Sequence, residues 1–147
     1  MKELILEQLK SLIKDEEHLI PNLANASALL FQELPDISWS GFYLMTDGYL
    51  LLGPFQGKPA CIRIQHGKGV CGSATAEDKT LRIDNVHEFP GHIACDSASN
   101  SEIVIPIHHN GKVAGVLDID STSFSRFGEE EQILLEKFVT VLEKYWS

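Results

Sequence analysis

Basic residues are scarce in this chain: 12 Lys and Arg stand against 21 Asp and Glu, a formal charge of −9 over 147 residues. A molecule so charged repels phosphate backbones and anionic lipid surfaces, which argues against nucleic acid and membrane as partners. No apolar run approaches the length that crosses a bilayer. The opening stretch, MKELILEQLKSLIKDEEHLIPNL, carries acids within its first ten positions and lacks the uninterrupted apolar core of a secretory signal, so the expected compartment is cytoplasmic. Internal repeats and low-complexity segments are missing as well. Cysteine is the shortage that bears on chemistry: three occur, at Cys61, Cys71 and Cys95, spaced C-x9-C-x23-C. An odd count with no C-x2-C pair fits neither a disulfide framework nor the usual structural zinc site. In a reducing compartment such cysteines are free, metal-bound or catalytic. A metal site would need all three to converge with His87 or His92, and the spacing speaks against it.

What is present is a normal globular content, 44% hydrophobic, in a length that suits one domain spanning residues 1–147 with a sizeable core. Leu4, Leu6, Leu9, Leu12 and Ile13 recur at largely helical spacing, and a second helix is expected after a break near Pro21, with Pro21 at its first position. A last helix begins in GEEEQ, with acids suited to a helix N-terminus, and places Ile133, Leu134, Phe138, Val141, Leu142 and Tyr145 on one face. Between these helices the period becomes that of strands: SGFYLMT, YLLLGPFQ, ACIRIQ, TLRIDNV, EIVIPIHH and KVAGVLDID. Asn110-Gly111 is the dipeptide that a two-residue type I′ hairpin prefers, so the last two strands are expected to pair antiparallel. GKGVCGSATAED reads as a loop entering a short helix. Residues 87–100 read as a long, partly helical connection of the kind that is usually functional or mobile. The expected fold is α+β, an antiparallel sheet of about six strands with N- and C-terminal helices packed on it.

Candidate chemistry gathers near the end of the sheet. Cys61, on an expected strand, and Cys71, between glycines, have ordinary readings as small buried hydrophobes; Cys95, among small polar residues, does not. In VAGVLDIDS the strand period puts Val116, Asp118 and Asp120 on one face and Leu117 and Ile119 on the other. Two like charges on one face raise at least one pKa if the site is partly buried, and a carboxylic acid kept protonated can donate a proton. The plainer alternative is a strand end that meets solvent, with Asp120 capping the turn into STSF. Counting back from the turn, Glu102 pairs close to residues 119 and 120, with an uncertainty of one, which would bring a third acid to the same place. A cysteine hydrolase wants a histidine base, and neither His87 nor His92 lies in a recognisable signature. Reduction of an oxidised sulfur suits the set better: a thiol attacks sulfur, a protonated acid delivers a proton to the departing oxygen, and further cysteines resolve the sulfenic acid.

The blocks WSGFYL, LGPFQGKPACIRI, GKGVCG, VHEFPGHIACDSASNSEIVIPI and GKVAGVLDIDS, in that order and with this cysteine spacing, resemble the free methionine-(R)-sulfoxide reductases, which are built on a GAF domain. The resemblance implies reduction of free L-methionine (R)-S-oxide to L-methionine. It implies Cys95 as nucleophile, Cys61 as main resolving cysteine and Cys71 as a third participant in disulfide exchange. It matches Glu102, Asp118 and Asp120 to the carboxylates that bind the substrate amine and activate the sulfoxide, and Trp39 and Tyr43 to pocket aromatics, which the residues alone would equally allow as core. It further implies thioredoxin as external reductant and no metal, flavin or nicotinamide cofactor on the enzyme. The apolar terminal helices suit pairing of two copies as a homodimer.

Overall fold

The structure, a computed structural model, describes residues 3–93, 95 and 97–147. Its elements run α1 (Leu4–Ile13), α2 (Leu19–Glu33), β1 (Trp39–Thr46), β2 (Tyr49–Gly57), β3 (Arg63–Gln65), α3 (Gly69–Glu77), β4 (Leu81–Ile83), a 3₁₀ turn (Val86–Glu88), β5 (Ser101–His109), β6 (Lys112–Ser121) and α4 (Glu129–Lys144). The six strands form one sheet in the order β3-β2-β1-β6-β5-β4, every neighbouring pair antiparallel. This is the α+β arrangement expected from the change of period. No helix among the described residues is long and apolar enough to cross a membrane.

Helices α1, α2 and α4 cover one face. They bury Leu9, Ile13, Leu23, Leu30, Leu135 and Phe138 against Phe42, Ile103, Ile107, Leu117 and Ile119 of the sheet. The buried stripe of α1 is Ile5, Leu6, Leu9 and Ile13, which leaves Leu4 and Leu12 outside. On α4, Ile133 is half-exposed while Leu134, Phe138 and Leu142 are buried as expected, and Val141 and Tyr145 pack at the core's edge. Gly128 N–H donates to Glu131 Oε1 at 2.8 Å, closing the first turn of α4, and three glutamates face the positive end of the helix. Pro21 is the third residue of α2 rather than its first; it still lies in the opening turn, where N–H groups have no intrahelical acceptor and a proline costs little.

Two departures from the expected strands matter for the site. The segment ACIRIQ narrows to β3 at Arg63–Gln65, so Cys61 precedes the strand: its carbonyl is taken by the Tyr43 hydroxyl at 2.9 Å instead of by a ladder partner. In the β5–β6 hairpin, Asn110 and Gly111 both take positive φ, 54° and 76°, as a type I′ turn requires. From that turn His109 pairs with Lys112 and His108 with Val113, but Ile107 pairs with Gly115. One extra residue in β6 makes a bulge, and every later pair is shifted by one. Glu102 therefore meets Asp120, where an unbroken register would have set it opposite Ile119.

Candidate active site

The second face of the sheet carries α3 and the connection from β4 to β5. Strand pairing sets Glu102, Asp120 and Trp39 side by side across β5, β6 and β1, with Val104, Asp118 and Gly41 two residues further along. Gly41 is needed there: a Cβ would strike Phe55 and the Trp39 ring. Freed of that obstruction, Trp39 stacks between Phe55, 5.1 Å away, and Tyr43, 6.0 Å away, and its Nε1–H donates to the Lys58 carbonyl at 3.1 Å. Both aromatics are buried and both line a cavity of about 50 Å³. Its remaining walls include Ile64, Val70 and Cys71 from one side and His92, Ile93, Cys95 and Ser99 from the other.

All three acids of the expected cluster line this cavity. Glu102 and Asp118 are only 7% and 5% exposed, which removes the solvated strand end as an explanation for Asp118. In the loop after β6, Ser121 Oγ donates to the Asp36 carbonyl at 2.7 Å and Ser101 Oγ to that of Ser123 at 2.6 Å. Burial pushes the Asp118 carboxyl well above the usual carboxylate range, and the charges of Asp120 and Glu102 push it further, so it holds a proton where an exposed aspartate would not. Burial likewise raises the Cys71 thiol, with the three acids adding to the effect. Cys71 lies in the first turn of α3 and donates weakly to Glu102 Oε2 at 3.9 Å. The Tyr43 hydroxyl is raised by burial first and by Asp118 second, which keeps it a neutral donor to the Cys61 carbonyl.

Cys61 and Cys95 are joined by a disulfide, leaving Cys71 as a buried free thiol. The reading of Cys61 as a small hydrophobe on a strand is thereby corrected, while Cys71 does pack in the core of this face as well as touching the acids. His87 is no base for Cys95: its Nε2 bonds to Asn100 Oδ1 at 2.8 Å, and the Asn85 side chain accepts from its backbone N–H at 3.0 Å. The arrangement thus offers two sulfurs able to cycle between thiol and disulfide, beside an enclosed carboxyl that carries a proton.

A model of the GAF domain matches residues 12–145. Protein YtsP of Bacillus subtilis is 55% identical over 97% of this chain and 88% of its own length. The free methionine-R-sulfoxide reductase of Escherichia coli is 54% identical over 91% of this chain and 81% of its own. The chain belongs to the free methionine-R-sulfoxide reductase family of GAF-domain proteins. Solved structures agree: fRMsr of Staphylococcus aureus in its reduced form superposes with a TM-score of 0.97 at 49% identity, covering 99% of this chain and 95% of that one. The same protein in complex with substrate gives 0.95 at the same identity and coverage.

The cysteine, acid and aromatic candidates reach the cavity or its rim: Cys95, Glu102, Asp118, Asp120, Trp39, Tyr43 and Cys71 line it, and Cys61 is bonded to Cys95, while of the two histidine candidates His92 lines it and His87 does not. Sequence reading missed Ile64, Val70, Ile93 and Ser99, which complete the enclosure. Apolar and small side chains carry no signal of their own. Only the glycines around them, such as Gly69 with φ +62° and Ile93 packed against it, hint at a close approach.

Proposed function

We propose that the chain reduces free methionine (R)-sulfoxide to methionine through its cysteines. The observation that carries this reading is the Cys61–Cys95 disulfide set against a cavity walled by Glu102, Asp118 and Asp120. In the reduced protein, the Cys95 thiolate attacks the sulfoxide sulfur while the carboxyl cluster, with Asp118 as the favoured seat, gives a proton to the departing oxygen. Methionine leaves and Cys95 becomes a sulfenic acid. The Cys61 thiol attacks that sulfur, water is released, and the disulfide forms. An external dithiol, thioredoxin in this reading, then takes the oxidising equivalents and returns both thiols; no metal, flavin or nicotinamide enters the cycle.

Substrate selection follows from the same residues. The acids offer an anchor to the ammonium of a free amino acid, Trp39 encloses the methyl beside the sulfur, and the small cavity leaves no room for a peptide chain on either side of the methionine. Cys71 takes part as a reserve thiol for disulfide exchange once the connection from β4 to β5 moves, and pairing of two copies through the helices suits the exposed Leu4, Leu12 and Ile133. The names and substrate complex of the relatives support the reaction and the substrate class. The deciding assay incubates the protein with each epimer of free methionine sulfoxide and with a blocked, peptide-like derivative, using a dithiol reductant or thioredoxin, and measures the reduced product. Methionine from the free R epimer alone is expected; no turnover of that epimer, or equal turnover of the blocked compound, sinks the proposal.

A further inference from the structure

In the disulfide form, Cys61 and Cys95 have no thiol to offer, yet three donors of mixed chemistry still converge at the floor of the cavity. Cys71 Sγ, a Glu102 oxygen and an Asp118 oxygen all lie within 4.8 Å of one another, and all three residues are buried. Asp118 Oδ1, on a residue 5% exposed that lines the cavity, is enclosed and accepts no hydrogen bond from a fixed donor, the carboxyl's side-chain neighbours being the acids Glu102 and Asp120 and the Cys71 thiol. A buried acceptor left without a donor costs free energy unless something occupies the space it faces. We infer that these three residues form a binding site for a zinc-class divalent cation.

The dimensions suit that ion. Bonds of about 2.3 Å to sulfur and about 2.0 Å to oxygen, meeting at a tetrahedral angle, put the two donors about 3.5 Å apart. Cys71 Sγ and Glu102 Oε2 stand 3.9 Å apart already, so a small inward movement of two side chains completes the pair. A thiolate among the donors selects zinc over magnesium or calcium, which prefer oxygen alone and more ligands. Three protein donors leave a fourth position facing the cavity, as in zinc sites that hold a water. The cation turns the repulsion within the cluster into shared attraction. It also occupies the groups that the proposed reduction uses for substrate ammonium and proton delivery, so zinc here is an inhibitor and not a cofactor. This site differs from the one that would have joined the three cysteines with His87 or His92: two of those cysteines are consumed by the disulfide.

The test uses the disulfide form of the intact protein and needs no turnover, so it stands apart from the success or failure of the reductase assay. Zinc affinity is read by competition with a chromophoric indicator, and cobalt(II) is added in parallel to look for the near-ultraviolet absorption of a cobalt–thiolate bond. One ion per chain and a clear thiolate band are expected in the unaltered protein. Cys71→Ser should lose the band and weaken zinc by at least about 100-fold. Asp118→Asn should keep the band and weaken zinc by about 10-fold or more, since even outer partners of a metal site are worth 10–100-fold. Absence of the band in the unaltered protein overturns the inference whatever the variants do. So does zinc binding that Cys71→Ser leaves intact, which would assign the ion to other groups such as the exposed His87 or His92 of the cavity wall.

Discussion

The two faces of the sheet are made by the same strands and obey opposite rules. Against α1, α2 and α4 the sheet presents Phe42, Ile103, Ile105, Ile107, Leu117 and Ile119, an apolar layer with no ionisable group among its buried members. Against α3 it presents Trp39, Tyr43, Val104 and Val116 mixed with Glu102 and Asp118, so that carboxyls and a thiol share an enclosed space with aromatics. Alternation along β6 is enough to create the contrast: Leu117 and Ile119 go one way, Asp118 and Asp120 the other. The first face is built to lower free energy. The second tolerates crowded acids, and its cost is the reactivity it makes available.

The comparison is broken most completely by Cys95→Ser. With no thiol at that position, sulfoxide reduction with a small-molecule dithiol should fall to background while melting of the reduced protein is little changed; substantial turnover would assign the nucleophile elsewhere. Asp118→Asn comes next and should move the two readouts in opposite directions. The chemical step, followed in single turnovers, should slow by about 10²-fold or more, as for loss of a general acid. Stability should rise. A carboxyl whose pKa is raised by folding leaves the protein's stability intact below its unfolded value and erodes it as pH climbs through the folded value. The asparagine removes that erosion, so a gain in Tm of about 2–4 °C at pH 8, fading towards pH 4, is the expected outcome. A variant that is both slower and less stable at pH 8 would mean that Asp118 supports the fold.

Leu117→Ala, one residue away on the other face, sharpens the contrast. It should cost about 2–5 kcal/mol in denaturant unfolding, the range for deleting a buried leucine side chain, while the rate per folded molecule stays within about threefold, well short of the Asp118→Asn loss. The smallest effect is expected at His108, where both layers meet. Its Nε2 faces Asp78 at the end of α3, 2.6 Å away, and its Nδ1 faces Glu143 of α4, 3.2 Å away. Partial burial lowers its pKa, but hydrogen bonds to Asp78 and Glu143 outweigh this and raise it. The stability it adds is complete below the ordinary imidazole value and is lost as pH rises through the raised one. With the ring 42% exposed, solvent screens the pair, so His108→Gln should cost less than about 1 kcal/mol at pH 6 and nothing measurable at pH 9. Equal loss at both values would refer the effect to packing.

Much of this was legible in the residues, and the failures are instructive. The period of two in VAGVLDIDS correctly separated pocket from core, and Asn110-Gly111 correctly named the hairpin. Membership of the family was carried by blocks whose cysteines and acids do meet around one cavity. The helix boundary at Pro21 was misplaced because a proline is tolerated anywhere in a first turn, not at one position only. The strand at Cys61 was overextended because its alternating pattern contains nothing that announces the Tyr43 hydroxyl, 18 residues earlier, as the group that claims its carbonyl. Apolar walls such as Val70 and Ile93 stayed invisible for the usual reason that a wall and a core residue look alike in sequence.

The bulge between the hairpin turn and the acids has a consequence of inheritance. In a plain ladder Glu102 would sit across from Ile119 and project with the oily layer; the single surplus residue in β6 reverses its parity and delivers it to Asp120. The carboxyl trio is therefore not a set of three independent positions that drift could assemble one at a time. It is a phase relation between two strands, set at Ala114, four residues from Asp118, and a lineage that dropped or gained one residue there would keep every acid in its sequence and lose the triad in space.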